Sequence, residues 1–125
     1  MEEIYRQAIY EIEGIKVSIG SPSPELAEFQ KSRGLAKAMV ITPCNPMGKK
    51  ISESDNSILW EAFATAYGPL PRAVGYSPDK SWLEEGFFMA VQNREEAKKI
   101  LKQHRQLAGV YCEGEAAPEL VWPIY

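Results

Sequence analysis

Apolar and polar positions alternate over residues 5–12 and again over 15–19, on either side of Glu13-Gly14, the period of two half-buried strands joined by a tight turn. The period then changes. Ser23 offers a cap, Pro24 suits a first helical position, Glu25 places an acid in the first turn, Leu26 and Phe29 follow three apart, and Gly34 stops the pattern; a short helix is expected. Residues 36–42 form an apolar run rich in β-branched side chains, closed by Pro43-Cys44-Asn45-Pro46, whose prolines cannot continue a ladder, so it reads as a buried strand. Ser52 then caps a helix with Asp55 three residues on, and Ile58, Leu59, Ala62, Phe63 and Ala66 make its apolar stripe up to Gly68-Pro69.

Residues 72–76 predict a short strand, Ser77-Pro78-Asp79-Lys80 a turn, and 82–91 a longer strand that pairs with the first as a hairpin. Asn93 caps a helix with Glu96 at its third position, running through Ala97, Ile100 and Leu101 towards Gln106; residues 109–112 and 119–122 predict two closing strands. From Ala36 to Glu113 the order is strand, helix, strand, strand, helix, strand. The expected fold is therefore α+β, with a ferredoxin-like split βαββαβ core over about residues 36–113, an added N-terminal β-hairpin plus helix, and a C-terminal strand. A chain of 125 residues suits a single domain spanning residues 1–125, burying roughly two-thirds of its unfolded surface.

Composition narrows the function classes. The chain is 45% hydrophobic and 25% charged, near the globular average, with net charge −3. Lys98, Lys99, Lys102 and Arg105 fall along the solvated side of one helix, balanced by Glu95 and Glu96 at its start, so nucleic-acid binding is disfavoured. No apolar run is long enough for a signal peptide or a membrane span, and a cytoplasmic protein is expected. Cys44 and Cys112 are too few and too far apart for a metal site and are not expected to form a disulfide; neither metal nor cofactor is expected. His104, without a neighbouring nucleophile, reads as a solvated helix residue rather than a catalytic base.

With these elements in place the chain resembles the bacterial family known as domain of unknown function 3293. The residues that carry the resemblance are Ile41-Thr42-Pro43-Cys44-Asn45-Pro46, then Ser52 to Asn56, Ser77-Pro78-Asp79 followed by Trp82 and Glu84-Glu85, and Gln106-Leu107-Ala108. The sequence departs from the family's pattern in having Cys44 where an aromatic usually precedes the Asn-Pro pair. The resemblance implies no activity.

In a ferredoxin-like sheet the first and third strands are adjacent and antiparallel, which should bring Thr42 and Asn45 beside Trp82 and Glu85. The helix starting at that end would bring Asn56, and the last helix finishing there would bring Gln106. The expected function is thus a binding or interaction module, rather than an enzyme, holding a small polar ligand, a peptide or a protein partner at a rim built from Thr42, Asn45, Asn56, Trp82, Glu85 and Gln106. Two alternatives stay open: a small enzyme using Cys44 as nucleophile with His104 or Arg72 nearby, and a purely structural cluster in which these polar groups satisfy one another. Glu84 and Glu85 are consecutive and point to opposite faces of a strand, so they cannot form an acid–base pair. Self-association as a homodimer through an edge strand, at residues 5–12 or 119–122, is a further expectation.

Overall fold

The computed structural model of the chain describes residues 2–124. The elements run α1 (Glu2–Gln7), β1 (Ile9–Ile12), β2 (Ile15–Ser18), α2 (Pro24–Ser32), β3 (Lys37–Ile41), α3 (Glu53–Tyr67), β4 (Arg72–Tyr76), β5 (Leu83–Ala90), α4 (Arg94–Gln103), β6 (Gly109–Glu113) and β7 (Glu119–Val121). The strands form one seven-stranded sheet in the order β2-β1-β4-β5-β3-β6-β7, with every neighbouring pair antiparallel. The fold is α+β.

Capping chemistry sets the helix starts. The Ser23 hydroxyl accepts from Leu26 N–H at 3.1 Å and the Ser52 hydroxyl from Asp55 N–H at 3.1 Å. Asn93 Oδ1 accepts from Glu96 N–H at 2.9 Å, while the Glu96 carboxylate accepts from Gln92 N–H at 2.9 Å, satisfying amides on both sides of the cap. The end of α4 is also specific: Arg105 takes the left-handed conformation (φ 55°) and Gln106 N–H reaches back to Leu101 C=O at 2.9 Å. That closure turns Gln106 inward.

Each face of the sheet carries its own core. Met39, Ile41, Phe87, Met89, Tyr111 and Val121 pack under α3 and α4 through Phe63, Ala97 and Leu101. On the other face Tyr10, Ile12, Val17, Ala38, Val40, Phe88, Val110 and Cys112 meet Leu26 and Phe29 of α2. Because β3 alternates between these two cores, its sequence is apolar at nearly every position. The sheet curls about the second core until Gly20 N–H, just beyond β2, donates to the Pro118 carbonyl, just before β7, at 2.9 Å. The two edges thereby approach each other.

Several sequence expectations change. Residues 5–7, expected in the first strand, belong to α1: Glu2 pairs with Arg6 at 2.6 Å and Gln7 donates to Glu3 at 2.7 Å, four-residue spacings that favour a helical turn over the apparent alternation. The edges are β2 and β7, since β1 is enclosed between β2 and β4. In α3 the inward stripe is Asn56, Trp60, Phe63, Ala64 and Tyr67, whereas Ile58 is 67% exposed and Ala62 and Ala66 also face outward. The aromatic residues decide that register, because Phe63 stacks on Phe87 at 5.4 Å between centroids and Trp60 lies 4.2 Å from the same ring. His104 is not a solvated helix residue; it caps α4, shares a 2.9 Å hydrogen bond with the Tyr67 hydroxyl and packs edge-on to Phe63.

Candidate functional site

The segment after β3 begins with Thr42, whose hydroxyl accepts from Cys44 N–H at 3.1 Å. Asn45 follows in the left-handed region (φ 49°, ψ 61°), a conformation Asn tolerates better than most residues, and Met47 (φ 58°) and Gly48 (φ 71°) repeat it. Neighbouring elements hold this turn. Asn45 N–H donates to Asn56 Oδ1 at 2.9 Å, Asn56 Nδ2 donates to Asn45 Oδ1 at 3.0 Å, and Ile51 N–H donates to that same oxygen at 3.2 Å. Met47 N–H donates to the Arg105 carbonyl at 2.6 Å, tying the turn to the end of α4. Gln106 Nε2 completes the tie by donating to the Cys44 carbonyl at 3.1 Å and the His104 carbonyl at 3.3 Å.

With its oxygen taken up by Asn56 and Ile51, the Asn45 side chain also favours the charged form of the Glu84 carboxyl of β5. Glu84, opposite Gly75 in the ladder, is half-buried on the face that carries Phe88, while Glu85 is on the other face. The Glu85 side chain is 65% exposed and lies 3.9 Å from Arg72, whose guanidinium covers the Trp60 ring at 4.7 Å. The carboxyl on the cavity side is therefore Glu84, and Glu85, expected there from the sequence, lies on the opposite face. Strand pleating is the reason: Trp82 and Glu84 share a face and Glu85 does not.

Glu84 borders a cavity of about 40 Å³ at the mouth of the curl, where β3 ends and β5 and β6 begin. Tyr5, Tyr10 and Trp82 form its aromatic wall, and Thr42 and Gln106 add polar groups. Glycines on the adjoining sheet let rings and strands come close around it. A Cβ at Gly75 would come 2.8 Å from the Tyr10 ring and 3.4 Å from the Trp82 indole. A Cβ at Gly86 would come 2.4 Å from the Ile41 carbonyl oxygen, so no other residue fits there without moving β3 from β5. The Tyr10 hydroxyl donates to the Tyr5 carbonyl at 2.9 Å, and the Tyr5 ring sits 5.6 Å from Trp82, so α1 closes over the wall.

Electrostatics follow burial. Desolvation raises the Glu84 carboxyl above its ordinary value, and the Asn45 side chain only partly opposes it. Burial pushes Tyr5 up to about 12, with the Glu84 charge adding to the effect, and Tyr10 shifts upward for the same reason. The Cys44 thiol is raised as well, first by burial and then by Glu84 and Glu85, against a hydrogen bond with Thr42 that lowers it. This is the opposite of what a nucleophilic thiolate needs. His104 is engaged with Tyr67, and Arg72 with Trp60 and Glu85. Among the described residues no cluster of His, Cys, Asp and Glu could hold a metal ion.

The structure thus brings Thr42, Trp82 and Gln106 to one cavity, holds Asn45 and Asn56 together in the turn that Gln106 also ties, and leaves Glu85 outside. Sequence reasoning missed Tyr10, which β1 carries in by pairing with β4, Tyr5 on α1 just before it, and the glycines that let rings and strands come close. The pairing of β1 with a strand some sixty residues later has no local signal.

Residues 41–108, more than half of the chain, match the family described as "Protein of unknown function (DUF3293)". The matched span contains Thr42, Asn45, Asn56, Trp82, Glu84 and Gln106, but not Tyr5 or Tyr10. No curated protein and no solved structure matches the chain.

Proposed function

We propose, for a chain that belongs to the DUF3293 family of proteins of unknown function, that it is a binding module whose ligand enters the mouth of the curled sheet and is held by Glu84. One observation carries this reading: the half-buried Glu84 carboxyl borders an open space walled by aromatic rings. Asn45 and Asn56 are positioning residues, Thr42 and Gln106 offer polar groups, and Trp82 gives a flat apolar surface. The ligand is a small polar molecule or the tip of a peptide side chain, because the space is about 40 Å³.

The central strand order β4-β5-β3-β6, with α3 and α4 on one face, supports reading this part as a ferredoxin-like split βαββαβ core to which the first hairpin, α2 and β7 are added. Two unpaired cysteines fit the reducing environment of a bacterial cytoplasm.

The test is an NMR titration of the labelled chain with a panel of small cationic, anionic and neutral polar compounds. At least one class should shift the Trp82 indole and the amides around Glu84, and Glu84→Gln should abolish the shift while its melting temperature stays within a few degrees. A panel without effect, together with a Glu84→Gln variant that unfolds, would leave the cluster as structural glue.

A further inference from the structure

We propose that the group this cavity receives is a primary ammonium ion, carried by a small free amine or by a lysine side chain, with the Glu84 carboxylate as its counter-ion and Tyr5, Tyr10 and Trp82 as its walls. The inference rests on the reading of the cavity as a binding site and adds the charge and size of what enters.

Charge decides the sign of the ligand. The lining residues include the Glu84 carboxyl and, among the described residues, no Lys, Arg or His. Three arginines of the chain are paired elsewhere: Arg72 with Glu85 and Trp60, Arg94 with Glu119 and Tyr111, Arg6 with Glu2. A half-buried carboxylate balanced by no cation carries a desolvation cost that an incoming cation offsets, whereas an anion would add repulsion and a neutral group would leave the charge uncompensated.

The walls point the same way. Tyr5 and Trp82 pack tilted at 60° with centroids 5.6 Å apart, and Tyr10, lying over Gly75, is the third ring that lines the cavity. Aromatic faces attract cations, and a desolvated setting strengthens the attraction. Neither tyrosine competes for the charge, since both stay protonated at neutral pH.

Size and hydrogen bonding select a primary ammonium over a quaternary one. A space of about 40 Å³ admits a group on the scale of one or two water molecules. A primary ammonium brings three N–H donors for the Glu84 carboxylate and the Thr42 hydroxyl, while a quaternary ammonium brings none and would leave the carboxylate without a donor from the ligand.

The experiment titrates the full-length labelled chain at constant ionic strength with methylammonium, tetramethylammonium, acetate, acetamide and N-acetyl-lysine methylamide, with N-acetyl-alanine methylamide as control. The Trp82 indole and the Gly86 and Gly109 amides report. Methylammonium, the lysine derivative or both should shift them, with tetramethylammonium at least about tenfold weaker. Whichever of the two responds identifies the free amine or the lysine side chain as the source. Glu84→Gln should weaken methylammonium about tenfold or more with a native spectrum, and Glu84→Asp, which keeps the charge but withdraws it, should also weaken it. Acetate or acetamide binding without methylammonium would overturn the ammonium assignment and leave the binding site standing. Silence from every probe would overturn both, as would full methylammonium affinity in Glu84→Gln.

Discussion

Burial raises the Glu84 carboxyl above its ordinary 4.5, so the folded protein holds that proton more tightly than the unfolded chain does. Stability must then fall as pH rises from 4.5 through the raised value, because ionising the folded side chain costs more than ionising the unfolded one. Glu84→Gln removes this dependence. Its melting temperature at about pH 7 should equal or exceed that of the parent, and its loss of stability between about pH 4.5 and pH 7 should be smaller; an equal slope in the two proteins would contradict the burial of this carboxyl. Its face is legible in the sequence, since counting back in twos from Phe88 reaches Glu84 and Trp82. Expecting Glu85 instead treats Trp82 to Glu85 as one patch, which the pleat of β5 forbids.

At the scale of elements, the turn between β4 and β5 sets the register that puts Glu84 opposite Gly75. Ser77 Oγ accepts from Trp82 N–H at 3.0 Å and donates to Asp79 Oδ1 at 2.8 Å, while Ser81 N–H donates to Asp79 Oδ1 at 3.0 Å. The Ser81 backbone N–H and then the Ser77 and Ser81 hydroxyls hold the Asp79 carboxyl down at about 2. A depressed carboxyl contributes stability above its unfolded value of 3.8 that is lost as pH falls towards 2. Asp79→Asn should therefore lower the melting temperature by a few degrees at about pH 7, with the gap narrowing as pH drops from 4 towards 2. A constant gap, or none, would show that the turn does not depend on this charge. Caps at Ser23, Ser52 and Asn93 were readable because a cap is a local feature with a fixed offset to the amide it serves. The inward face of α3 was not, because Ile58, Ala62 and Ala66 fit a helical stripe as well as Trp60, Phe63 and Tyr67 do, and only the Phe87 ring across the sheet selects between them.

For the whole molecule, the curl matters most. It brings β1 and β7 to the same mouth, so that Tyr10 and Leu120 border one cavity although they stand at opposite ends of the sequence, and Gly20 N–H to the Pro118 carbonyl joins the edges. Strand identities are written in alternation and turn residues, but curvature arises from long-range pairing and from close approaches such as Gly86 against Ile41. That is why Thr42, Trp82 and Gln106 could be expected at the cavity from the sequence, whereas Tyr5 and Tyr10 could not. The most direct test of the account is a carboxyl-carbon NMR titration of Glu84 with and without methylammonium. The account predicts a midpoint above 4.5 in the free protein that moves down when the probe is present, with the Glu85 resonance unresponsive to the probe. A Glu84 midpoint at or below 4.5 that the probe leaves in place would contradict it.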